Sequence, residues 1–144
     1  MRIPSVVLAL SVIGLLSVPA GFAEEPADPT PGGIKLLPGY KHEKLQGIDT
    51  RVGKIAKASG FAFGYDIGKL AGDAAGSLDK DTLLWRKEQV IDGQTVRVAL
   101  TKDRMLYVTF TQTHANFYGK AKSDDEVADM LLMVLTYANP VKSK

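Results

Sequence analysis

The sequence predicts an α+β fold, an antiparallel β-meander of about five strands packed on one C-terminal amphipathic helix. Three observations carry this. Two stretches of period-two alternation turn at Ser59-Gly60 and Asp92-Gly93, dipeptides suited to tight hairpins. A further alternating stretch, Met105 to Thr111, follows the second hairpin directly. An apolar stripe of helical period begins only after Ser123, behind every strand signal. Strands first and helix last, rather than the two in alternation, is the α+β pattern.

Taken in order, Tyr40 to Gln46 is a candidate edge strand. A two-residue turn at Ser59-Gly60 sets Ala58 opposite Phe61, and the register continues as Ala56–Phe63, Lys54–Tyr65 and Val52–Ile67. One face then carries Val52, Ala56, Phe61, Phe63, Tyr65 and Ile67 and reads as core. The other carries Gly53, Ile55, Lys57, Ala62, Gly64 and Asp66. Gly68 to Lys80, rich in glycine, reads as a loop with room for one helical turn.

Asp92-Gly93 is a strong type I′ signal between Leu83–Ile91 and Gln94–Thr101. Ile91 opposite Gln94 brings Glu88 to Arg97 and Trp85 to Leu100. Trp85, the only tryptophan, then shares the buried side of Val96, Val98 and Leu100. Face matching demands the longer loop Lys102-Asp103-Arg104 before Met105, so that Leu100 meets Leu106 and Val98 meets Val108. Ser123-Asp124-Asp125-Glu126 is a capping box. Val127, Met130, Leu131, Val134, Leu135 and Ala138 form the stripe behind it, with Asn139-Pro140 as the stop.

The chain ends frame one domain, residues 39–139. Residues 1–23 have a basic start, a short apolar run and small residues before a cleavage point after Ala23, the layout of a secretory signal peptide. Residues 24–38, with Glu24-Glu25 and a run of prolines and glycines, read as a flexible tether, and 140–144 as a short polar tail. A secreted or periplasmic protein follows, with no membrane insertion once the signal is removed.

Composition narrows the function. Among 144 residues there are 18 Lys and Arg, 16 Asp and Glu, two His and no Cys. Signal removal takes Arg2 and leaves 17 basic residues against 16 acidic, which offers no electrostatic basis for nucleic-acid binding. Without cysteine there is no disulfide framework, zinc–thiolate site, iron–sulfur cluster or thiol nucleophile. The two histidines lack zinc-motif spacing, and no serine-hydrolase elbow, phosphate-binding loop or calcium loop occurs. No cofactor is implied. Asp124, Asp125, Glu126 and Asp129 are accounted for by the dipole of the helix they begin.

The remaining expectation is a non-catalytic binding module for a protein, peptide or glycan of the cell envelope or extracellular space. Two surfaces suggest themselves. The stretch 112–122, read as a loop, carries His114, Asn116 and Tyr118 beside Phe117. The small-residue face of the first hairpin carries Asp66, Arg51 and Ile55 around Gly53 and Gly64. Two alternatives stand beside this: a small hydrolase or metal-dependent enzyme assembled around His114 and Asp66, and a structural subunit that associates through a sheet edge.

Overall fold

The computed structural model describes residues 29–138; the expected signal peptide, the start of the tether, the Asn139-Pro140 stop and the tail lie outside the described residues. Seven strands form one sheet: β1 (Tyr40–Leu45), β2 (Arg51–Lys57), β3 (Ala62–Ile67), β4 (Leu83–Ile91), β5 (Gln94–Thr101), β6 (Met105–Phe110) and β7 (Ala115–Lys120). One helix, α1 (Asp124–Val134), follows. Every strand pair is antiparallel and the order is β1-β2-β3-β7-β6-β5-β4. The fold is therefore α+β, with seven strands rather than about five. It is two meanders joined: the segment 68–82 carries the chain from β3 to the far edge, and the second meander returns until β7 pairs with β3.

The added central strand is β7, which occupies most of the stretch expected to be the 112–122 loop. Ala115, Asn116, Phe117 and Gly119 are all buried. Ala115, Phe117 and Gly119 face the core while Tyr118 and Lys120 are exposed on the other side, an alternation carried by small residues and only one large apolar side chain. What remains as loop is Thr111 to His114, and His114 takes a left-handed conformation with φ 48°.

The first hairpin also departs from expectation, by one residue. Ile55 pairs with Phe63, Gly53 with Tyr65 and Val52 with Asp66. Lys57 N donates to Phe61 O at 2.8 Å, so the loop is Ala58-Ser59-Gly60, and Gly60 (φ 107°) supplies the positive φ. A one-residue slip exchanges the faces of β2. Ile55 and Gly53 thus join Phe63 and Tyr65 in the core, while Val52 and Ala56 turn to the other side.

The second hairpin follows the sequence closely. Ile91–Gln94, Glu88–Arg97 and Trp85–Leu100 are all paired, and Asp92 and Gly93 have φ of 50° and 74°. The three-residue loop after β5 gives Leu100–Leu106 and Val98–Val108. Its left-handed position is filled by Arg104 (φ 70°), at a cost of roughly 1–2 kcal/mol for a residue with a Cβ. Its side chain offsets this by donating to Ala121 O and Asp124 Oδ1 at 3.3 and 2.8 Å.

The core lies under α1. Met130, Met133 and Val134 are fully buried against a floor that includes Phe63, Leu106, Val108 and Phe117. Each such side chain contributes about 1.5–3 kcal/mol on burial. Ser123 Oγ accepts from Glu126 N at 3.3 Å, and the Glu126 carboxylate reaches back to Lys122 N at 2.5 Å. The helix ends at Val134, ahead of the expected proline stop. Thr136 Oγ1 donates to Met133 O at 2.6 Å, and Tyr137 leaves the helical path to pack on Phe110 and Phe117. Part of the expected tether belongs to the fold as well. Pro31 and Ile34 are buried, Lys35 N donates to Thr136 Oγ1, and Ala138 N donates to Gly32 O.

Candidate functional site

The residues singled out by sequence divide between the two faces. Asp66, Asn116 and Tyr118 come together on the face away from α1: Asp66 pairs with Asn116, and Tyr118 pairs with Gly64 and Tyr107. Ile55 does not join them, because it is fully buried on the helix side. Arg51 is exposed and shares the side of Ile55. His114 sits at the start of β7, where its carbonyl accepts from Gly68 N at 3.2 Å.

Asn116 acts as a clamp. It is 2% exposed; its amide oxygen accepts from Ala74 N and Thr109 Oγ1, and its nitrogen donates to Ala71 O and Gly72 O. Thr109 Oγ1 also accepts from Ala75 N at 3.1 Å. Farther along, Arg86 donates to Gly76 O at 3.1 Å, and Arg97 joins Asp73 to Glu88. These bonds fasten 68–82 across the sheet, so Glu88–Arg97 is part of an anchor rather than an isolated surface pair. Beyond that cover stand Tyr118, Tyr107 and Asp66. Tyr118 is 37% exposed, with ring centroid 6.4 Å from Tyr107. Burial first, and then the nearby Asp66 carboxylate, push its phenol above the usual tyrosine range. Asp66 Oδ1 is buried without a hydrogen-bond partner among the described residues.

The other face holds an apolar opening beside the helix. The helix crosses toward β1, where Tyr40 Oη donates to Asp129 Oδ2 at 2.7 Å and Lys57 lies 3.8 Å from the same carboxylate. Toward the opposite side Leu131 and Leu135 reach over the sheet. A groove of about 210 Å³ is left between them and Trp85, Ile91, Val96 and Val98, with Lys87 and Gln89 at its rim. Leu132 and Leu135 are 63% and 40% exposed. Bordering the groove is β4, a nine-residue edge strand with no neighbour on its outer side among the described residues. Sequence pattern had placed Trp85 on the face of Val96 and Val98. It carries no record of how far a helix will cover that face, so the groove itself was missed.

No group of three or more His, Asp or Glu side chains able to hold a metal occurs among the described residues. His42 stacks on Tyr65 at 5.7 Å, with Nε2 2.8 Å from the phenol oxygen. No helix among the described residues is long and apolar enough to cross a membrane. The arrangement as a whole offers binding surfaces: an apolar groove beside a free strand edge, and an aromatic–carboxylate patch on the opposite face. The chain matches no protein-family model, and no curated protein or solved structure is significantly similar to it.

Proposed function

We propose that this chain is an exported, non-catalytic binding domain whose contact surface is the β4 edge and the groove beside it. The supporting observation is the conjunction of the two: a nine-residue strand with no neighbour on its outer side among the described residues, bordering an apolar trough lined by Trp85, Val98 and Leu131. A strand added to an edge satisfies its backbone by hydrogen bonds, while alternate side chains fill the adjoining trough. Near-neutral charge agrees with recognition by shape and apolar contact rather than by steering. A second reading rests on the unpartnered oxygen of Asp66 beside Tyr118, which suits a small ligand carrying a hydrogen-bond donor.

Affinity capture from the cell envelope and exported fractions, using the mature chain, tests the choice. Val98→Lys, which charges the groove, is expected to lose the captured species, and Tyr118→Ala to keep it. The reverse pattern moves the site to the opposite face.

A further inference from the structure

We propose that the strand completing the β4 edge is β4 of a second copy of this chain, antiparallel to the first about a two-fold axis through Lys87. This rests on the reading of that edge as a contact surface and names its occupant.

Backbone geometry comes first. Thr95 N donates to Gln112 Oε1 at 2.8 Å, and Thr95 O accepts from Thr111 N at 3.0 Å. Thr95 therefore turns its polar backbone toward β6 and away from β4. Val90, which is opposite Thr95, belongs to a pair that exchanges no bonds, so its own N–H and C=O point outward. With the period of two, Glu88 and Arg86 do the same. The edge thus presents an unpaired ladder.

Side-chain complementarity then selects the partner and the register. Two copies of one edge meet through a two-fold axis, so every contact occurs twice. Centring the pairing on Lys87 overlaps all of Leu83–Ile91 and sets Arg86 of each copy opposite Glu88 of the other, beside the bonds these side chains already make to Gly76 O and Arg97. Leu84, at the bulge where the ladder with β5 shifts, comes to Val90 of the other copy; these are 54% and 62% exposed. Centring instead on Arg86 or on Glu88 shortens the overlap and loses the Arg86–Glu88 match. Lys87 does face itself, but on the groove side, where long side chains can diverge toward water. Both grooves then lie on one face of a continuous sheet. The β1 edge offers a Lys41–Glu43 match over only six residues, beside a smaller hollow of about 70 Å³ lined by His42, Lys44 and Arg51.

The absence of cysteine makes the register testable. In the proposed pairing the Lys87 residues form a pair without hydrogen bonds, at a Cα separation of about 4.5 Å that a disulfide can span. Sedimentation of the mature chain is expected to show a dimer whose fraction rises with concentration. Under mild oxidation Lys87→Cys should link into dimers, whereas Arg86→Cys and Glu88→Cys should link about ten-fold more slowly, being out of register. Trp85 fluorescence and circular dichroism verify that each variant is folded. A wild-type chain that stays monomeric at every concentration would overturn the proposal, as would linkage through His42→Cys at the β1 edge in place of Lys87→Cys. A monomer that still loses its envelope partner through Val98→Lys would sink the second copy alone and leave the edge as the contact surface.

Discussion

The two edges of this sheet differ in what packs beside them. At the β1 edge, side chains of the chain itself fill the space: Tyr65 lies over Gly53 and meets His42, and Tyr40 reaches Asp129 of the helix. At the β4 edge the strand is longer, and Leu84 and Val90 stand exposed on it. The groove beside it is walled by side chains that no other part of the described fold covers. One helix cannot shield a seven-stranded sheet from edge to edge. Where it crosses decides which edge it packs against and beside which a groove is left.

That contrast can be broken first at Gly53. A Cβ there would sit 2.3 Å from the Tyr65 hydroxyl. Gly53→Ala must push the ring off its His42 contact, and chemical denaturation should show a loss of about 1–3 kcal/mol. The groove should keep its Trp85 emission in the folded variant. A smaller effect is expected at Tyr40. Its phenol is pushed well above the usual tyrosine range, by burial first and then by its hydrogen bond to Asp129. A raised folded-state value favours the protonated phenol. The contribution is therefore intact below about pH 10, the ordinary tyrosine value, and is lost as pH rises from there toward the folded-state value. Tyr40→Phe should cost about 1 kcal/mol at neutral pH and flatten the alkaline decline in melting temperature.

Legibility in the sequence varied along the chain for physical reasons. The β4–β5 hairpin and the loop to β6 were readable to the residue, because Asp92-Gly93 permits one turn and Val96, Val98 and Leu100 fix one face. The first hairpin was misregistered because Ser59-Gly60 suits either a two-residue turn or a three-residue loop ending in a left-handed glycine, and Gly60 takes the second role. Strand β7 was hidden because its core face is Ala115, Phe117 and Gly119, a weak apolar signal, and its Asn116 looked like a surface group although its amide is spent on clamping 68–82. Asp66 and Tyr118 were placed on a common face only by the β3–β7 pairing, a contact between residues about a third of the chain apart. The groove depends on how far α1 extends over the sheet. The capping box and the stripe locate the helix in sequence, but its breadth of cover is a property of packing.

The most direct measurement is backbone hydrogen exchange across both edges at low and high protein concentration. The amides of Arg86, Glu88 and Val90 point outward from β4, so a second strand there should slow their exchange as concentration rises. Amides of β1 should exchange at rates independent of concentration. Equal rates on β4 at every concentration, or slowing confined to β1, would contradict the account.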